Sequence, residues 1–260
     1  MKVNGLINCH YVEPFAGGCG LAVDLLFSMY AMHIHLNDLD PAVYNFWKAV
    51  VEDCAGLCGL IEKTPVTIDE WFRQKEIFSS PVHKDPLLHA FSTLFLNRTN
   101  RSGILLGGVI GGKNQTGNYK LDARFNKKEI IKKLDRIFSY RHRIHLSNKD
   151  AKDFLTDEVS ELPEKTLIYL DPPYYVKGGN LYQNHYKPSD HEVIASTIQG
   201  LKNRYWLVSY DSVPEIELLY SACNFKRYEL NYSARNHVKG TEVMFFSDGL
   251  VLPEPIKENP

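Results

Sequence analysis

The sequence predicts an α/β fold: a mostly parallel sheet, a C-terminal antiparallel β pair and a largely helical insert. Three observations carry that reading. The chain opens on a strand, a glycine-rich turn, a helix and a second strand. Short apolar runs alternate with helical segments again after residue 143, and the stretch between shows helical periodicity with a concentration of basic residues. With 260 residues, 44% of them hydrophobic, the chain can bury one large core or a core plus a smaller insert. The expected division is 1–54 and 144–260 for the sheet-bearing domain and 55–143 for the insert.

The elements follow in order. "HYVEPFAGG" runs from an apolar strand into glycines, "LAVDLLFSMYA" has apolar residues at helical spacing, and "HIHLNDLD" alternates into a second strand end. Asp40 and Pro41 read as the N-cap and first residue of a helix carrying Val43, Phe46, Trp47 and Val50, which leaves Asp38 without a structural role. From about 55 to 100 the chain reads as helical, with helix starts in "TIDEWFRQKEIF" and "DPLLHAFSTLFLNRT". "NRSGILLGGVIGGKNQTGNYK" is a long irregular loop or hairpin, a length that is usually functional or disordered. "NKKEIIKKLDRIF" is a basic amphipathic helix with Ile130, Ile131, Leu134 and Ile137 inward. Strands resume at "RIHLSNKD", "TLIYLDPPY" and "RYWLVSYD", with the capped helix "PSDHEVIASTIQGL" before the last. "VPEIELLYSA" is helical, and "FKRYELNYSA" with "TEVMFFSDGL" closes the sheet.

Composition narrows the classes of function. Residues 21–36, the most apolar segment, are interrupted by Asp24 and His33 and fall short of the roughly 18 apolar residues of a membrane span. "MKVNGLINCHYVEPF" has no sustained apolar signal segment, so a cytoplasmic protein with no membrane partner is expected. Cys9, Cys19, Cys54, Cys58 and Cys223 form no paired C-x-x-C knuckles. Cys54 and Cys58 could share a helix face, but no His–Cys pair follows at zinc-like spacing, so buried reduced thiols and no metal are expected. Net charge is −1, yet residues 98–143 hold twelve basic residues against three acidic ones, a net of +9 that leaves −10 on the remainder. Such a segregated segment fits either a polyanion footprint or a solvated helix face.

The chemistry concentrates where strands end. "LIYLDPPYY" carries a short apolar run into a carboxylate, two prolines and two tyrosines; alone, this is also how an ordinary strand-ending turn reads. "FAGGCG", Phe15 to Gly20, allows close backbone approach to a ligand, or simply a tight turn, and it departs from the dinucleotide pattern G-x-G-x-x-G. Asp38 ends the second strand 20 residues beyond Gly18, a distance that suits a pair of ribose hydroxyls. A nucleoside cofactor without a required pyrophosphate follows, and S-adenosylmethionine fits.

Taken together, "EPFAGGCG", "LNDLD", "FLNRTNRSG", "GGKNQTGNYKLDARFN", "DPPY", "LYQNHY", "WLVSYDS" and "NYSA" resemble the ordered motifs of the Dam-type (D12 class) N6-adenine DNA methyltransferases, over roughly residues 10–247. The resemblance implies a Rossmann-like S-adenosylmethionine-dependent methyltransferase fold with a DNA-binding insert and double-stranded DNA as partner. It also implies a bacterial or phage origin, a monomer, and a cognate restriction endonuclease as a candidate companion. Asp171, Pro172, Pro173 and Tyr174 would be catalytic: the Asp171 carboxylate and Pro172 carbonyl accept the two N6–H hydrogens, and Tyr174 stacks on a flipped-out adenine. Glu13, Phe15, Gly17, Gly18, Asp38, Asp150 and Asp171 would line the cofactor site, Asp150 serving equally well as the N-cap of "AKDF". Tyr182 and Tyr186 would wall the base pocket. Asn97, Arg98, Arg101, Lys113, Asn118, Tyr119, Arg124 and Tyr182 would contact DNA.

One feature departs from the family pattern. Members carry a Gly-Gly-Lys segment ahead of the first strand, whereas the roughly ten residues before "YVEPF" contain none; "GGK" at Gly111–Lys113 matches the insert instead. Weakened cofactor binding is therefore expected. The alternatives kept beside adenine methylation are a catalytically weak DNA-binding relic and a related amine methyltransferase acting on cytosine N4, RNA or a protein side chain.

Overall fold

The computed structural model describes residues 1–80, 85–175, 186–231 and 239–253. Its sheet has seven strands: β1 (Cys9–Glu13), β2 (Ala31–Asn37), β3 (Ile144–Ser147), β4 (Thr166–Leu170), β5 (Tyr205–Asp211), β6 (Asn224–Asn231) and β7 (Lys239–Phe246), in the order β3-β2-β1-β4-β5-β7-β6. β1 pairs in parallel with β2 and β4, and β4 with β5, while β7 runs antiparallel to β5 and β6. This is the mostly parallel sheet with a closing antiparallel pair that the sequence predicts. Because the order reverses at β1, the carboxyl ends of β1 and β4 flank the switch point at which α/β sheets bind ligands.

The chain divides into two compact units, Met1–Leu39 with Lys149–Pro260, and Asp40–Asn148. In the first, α1 (Gly20–Phe27), α7 (Ala151–Asp157), α8 (Pro188–Gly200) and α9 (Pro214–Leu219) accompany the strands. Its core gathers Val12, Ile168, Leu170 and Val208 from the parallel strands with Phe154, Leu155, Ile194 and Ile198 from α7 and α8. Those strands are short and apolar because both faces are covered, as parallel sheets require.

The second unit is built around α5 (Pro86–Thr99), whose Ala90, Phe91, Leu94, Phe95 and Leu96 are buried. It is joined by α2 (Pro41–Glu52), α3 (Cys54–Lys63), α4 (Ile68–Ser79) and α6 (Lys127–Ser139). Each helix starts on a side chain that accepts a backbone amide: Asp40 from Ala42, Asp53 from Gly56, Thr67 from Glu70, Asp85 from Leu87 and Leu88, and Asn126 from Glu129. The loop between α5 and α6 is irregular but tightly tied. Gln115 Nε2 donates to the Ile110 and Gly112 carbonyls at 2.7 and 2.6 Å, and its Oε1 accepts from the Leu121 amide at 2.9 Å. Among the described residues, no helix is long and apolar enough to cross a membrane.

Candidate active site

The tips of β1 and β2 are held together by one buried amide. Asn37 Nδ2 donates to the Pro14 and Lys149 carbonyls, both at 3.0 Å, its Oδ1 accepts from the Lys149 amide at 2.9 Å, and its own carbonyl accepts from the Ala16 amide at 2.9 Å. This clasp fixes the glycine loop, β2 and the segment entering α7. Gly17 has φ +47°, and its amide donates to Asp38 Oδ2 at 2.9 Å. A side chain built at Gly17, Gly18 or Gly20 would meet nothing within 4 Å, so the loop exposes bare backbone to open space beside the Asp38 carboxylate. Bare backbone beside a carboxylate suits a sugar's hydroxyls and a positively charged neighbour, the donor set that a nucleoside sulfonium needs.

Glu13, at the end of β1, is buried. Tyr11 Oη donates to its Oε1 at 3.0 Å, and the nearby Cys19 thiol and Ala22 amide also favour the charged carboxylate. Burial outweighs those donors and pushes its carboxyl up to about 7, with the Asp171 charge adding to the rise. Phe15, half-buried, meets Tyr186 edge-on at 5.6 Å between ring centroids, and Tyr186 meets the buried His191 at 5.4 Å. The Tyr186 phenol is raised first by burial and then by the charges of Asp150, Asp190 and Asp38. Asp150 is the N-cap of α7, accepting from the Lys152 amide at 2.9 Å.

The segment after β4 is pinned from two neighbouring strands. Ser209 Oγ, on β5, donates to Asp171 Oδ1 at 3.1 Å and lies 3.0 Å from Tyr169 Oη. Tyr174 Oη donates to Glu242 Oε1, on β7, at 2.8 Å, and the Tyr175 amide donates to Asp211 Oδ1 at 3.1 Å. Between these ties Pro172 is buried and Pro173 half-buried. Asp171 remains open to solvent on one side, yet the protein around it removes enough water to raise its carboxyl; the Ser209 hydroxyl opposes that rise and the Glu242 charge adds to it. A carboxylate, a rigid carbonyl and an oriented phenol ring thus sit at one strand tip, able to accept hydrogens from an amine and to present an aromatic face.

The other sequence-expected residues fall in two places. Tyr182 lies outside the described residues. Asn97, Arg98, Arg101, Lys113, Asn118, Tyr119 and Arg124 all belong to the second unit. Three of them brace one another: Arg98 Nε donates to the Arg124 carbonyl at 2.8 Å, Arg124 Nη2 to the Asn97 carbonyl at 3.2 Å, and Asn97 Nδ2 to the Gly103 carbonyl at 3.2 Å. Arg101, Lys113, Asn118 and Tyr119 are exposed, Tyr119 at 75%, and the Lys113 ammonium lies 5.6 Å from the centre of the Phe72 ring. Within the basic helix α6, Lys127 is engaged with backbone, its Nζ donating to the Glu62 and Thr64 carbonyls at 2.9 and 2.6 Å.

Sequence reasoning missed Asn37, Ser209, Asp211 and Glu242 as supports of the site. Polar Ser209 and Asp211 within the apolar run "YWLVSYD" were a usable signal, since a buried strand admits polar groups only with partners. Glu242 carried no such mark. A depression of about 830 Å³ lined in part by Leu6, Lys165, Arg204, Trp206 and Asp248 lies at the opposite, amino ends of β4 and β5 and takes no part in this site.

A model of the D12 class N6 adenine-specific DNA methyltransferase family matches residues 5–234. No curated protein matches the chain. Among solved structures it is similar, at 12% identity and a TM-score of 0.36, to a conserved hypothetical protein of Streptococcus pyogenes, covering 93% of this chain and 87% of that one. It is also similar, at 12% identity and a TM-score of 0.39, to the rRNA methyltransferase aviRa of Streptomyces viridochromogenes, covering 92% of this chain and 75% of that one.

Proposed function

The chain belongs to the D12 class N6 adenine-specific DNA methyltransferases, and from that premise we propose that it transfers a methyl group from S-adenosylmethionine to N6 of an adenine flipped out of double-stranded DNA. The observation that carries the reading is the pinned segment Asp171–Tyr174, fixed by Ser209 and Glu242 at the carboxyl end of β4. When bound, S-adenosylmethionine supplies an electrophilic methyl group. Phe15, the bare backbone of Gly17 and Gly18, Asp38 and Asp150 would hold it, with the buried Glu13 behind the loop and Tyr186 closing the side against Phe15.

The chain's own residues then account for the reactivity of the amine. Asp171 Oδ and the Pro172 carbonyl accept its two hydrogens, turning the nitrogen lone pair away from the adenine ring and toward the electrophile. Proline rigidity keeps both acceptors in place, so the contribution is positional and electrostatic. Flipping costs a few kcal/mol, and stacking on the Tyr174 ring returns about 1–3 kcal/mol. The Tyr174–Glu242 bond orients that ring before the base arrives. In the second unit, Arg101, Lys113, Asn118 and Tyr119 are the exposed candidates for reaching the duplex, beside the braced Asn97, Arg98 and Arg124.

The test is tritium transfer from S-adenosylmethionine to unmethylated duplex DNA, followed by nucleoside analysis. Label in N6-methyladenine is expected. Label in N4-methylcytosine, or transfer to RNA in preference to DNA, sinks the assignment.

A further inference from the structure

The second unit brings together two thiols and a carboxylate that the assignments above do not use. Cys54 is the first residue of α3, set in place by Asp53, whose side chain accepts from the Gly56 amide at 3.0 Å. Cys58 follows one turn later on the same face. Their Sγ atoms are 3.9 Å apart, and Cys54 Sγ is 3.8 Å from Oδ1 of Asp135 on α6. The potential ligand atoms of all three residues lie within 4.8 Å of one another. Cys54 is buried, Cys58 half-buried and Asp135 exposed, so the cluster is anchored at one end and open at the other.

We propose that Cys54, Cys58 and Asp135 bind a thiophilic divalent cation, zinc foremost, which clamps α3 to α6. Two thiolates on a tetrahedral zinc with bonds of about 2.3 Å stand about 3.8 Å apart, and a thiolate and a carboxylate oxygen about 3.6 Å apart. The Cys54–Cys58 and Cys54–Asp135 separations meet these values, and Cys58 and Asp135, within 4.8 Å of each other, close the remaining gap by side-chain rotation. The same pair makes a poor disulfide: helix residues four apart hold their Cβ atoms about 5–6 Å apart, whereas a disulfide needs about 3.5–4.5 Å. Two soft sulfurs and one oxygen select zinc over magnesium or calcium. Each thiol gives up its proton as it ligates. The open side leaves the fourth position to solvent or to Glu62, one turn beyond Cys58. The clamp would reinforce the tie that Lys127 already makes between α6 and the end of α3. The spacing of the cysteines in the sequence gives no zinc pattern because the third ligand comes from a different helix.

The test uses the whole protein, reduced and stripped with a chelator, titrated with Co²⁺ as a spectroscopic stand-in and then with Zn²⁺. One equivalent of cobalt should give a thiolate-to-metal charge-transfer band that zinc displaces, and zinc should raise Tm. Cys58→Ser and Asp135→Asn change residues that are not buried, so the fold should survive. Each should weaken cobalt binding by roughly tenfold or more, since even the outer partners of metal ligands cost 10- to 100-fold. Cys223→Ser should leave the band unchanged. Cobalt binding without the band, or a band that survives Cys54→Ser/Cys58→Ser, overturns the proposal.

Discussion

Ser209 decides how Asp171 presents its charge. Partial loss of water raises the Asp171 carboxyl and the Glu242 charge raises it further, while the Ser209 hydroxyl opposes them. A protonated Asp171 is a poorer acceptor for the amine, so the acid limb of kcat/KM reports its ionisation. Ser209→Ala should move that limb to higher pH and Glu242→Gln to lower pH. A limb unmoved by both would mean that another group controls it. Glu13 gives a stability signal instead. Its carboxyl rises from 4.5 to about 7 on folding, so across that window the native state holds a proton that the unfolded chain has lost. Stability should therefore fall as pH rises from about 4.5 to about 7, by about 3 kcal/mol from this group. Unfolding free energies from urea titrations at pH 5 and pH 8 should differ by about 2.5 kcal/mol more in the wild type than in Glu13→Gln. At this scale Asp171, Tyr174 and Asp38 are legible in the sequence as candidates, because charged and aromatic residues at strand tips stand out locally. Asn37, Ser209 and Glu242 stayed hidden because their partners lie across strands.

The element that most needs its particular residues is the loop between α5 and α6. Gly111 has φ +82°, and a side chain there would come 2.6 Å from the Tyr119 carbonyl oxygen. A side chain at Gly117 would come 2.9 Å from Gly111 Cα, and neither neighbour can swing aside because both are backbone. Gly117→Ala should cost about 1–3 kcal/mol of stability by overpacking and weaken DNA binding while leaving S-adenosylmethionine affinity unchanged. Thermal melts and separate titrations of the two ligands would show it; a wild-type melt and DNA affinity would contradict it. The sequence revealed this segment's length and glycine content but not that Gln115 pins it, since those bonds depend on how the loop closes. The helices were more legible: caps at Asp40 and Asp85, and the inward Ile130, Leu134 and Ile137 of α6, follow from local pattern.

Across the whole molecule, charge is segregated, with +9 in residues 98–143 against −10 elsewhere. Lys128, Lys132 and Lys133 on α6 are exposed, while Lys127 is engaged with backbone carbonyls. Lys128→Gln/Lys132→Gln/Lys133→Gln should therefore weaken DNA binding alike for all sequences and lower the log–log salt slope by about 0.9 per lost phosphate contact. Lys127→Gln should act mainly on stability. An unchanged slope in the triple variant would make this helix face merely solvated. The mostly parallel sheet with its closing antiparallel pair, and the placing of Glu13, Asp38 and Asp171 at strand carboxyl ends, were readable in advance because alternating strands and helices leave few topologies, whereas the strand order came only with the structure. The α3–α6 thiol cluster was not, because it joins residues distant in sequence. Methyl transfer to duplex DNA by Asp171→Ala, measured beside its DNA affinity, tests the role of this site most directly. Turnover should fall on the order of 10²- to 10³-fold, the usual loss of a preorganised polar contact to the reacting group, with DNA affinity near wild type. Near-normal turnover in Asp171→Ala would contradict the assignment of this site.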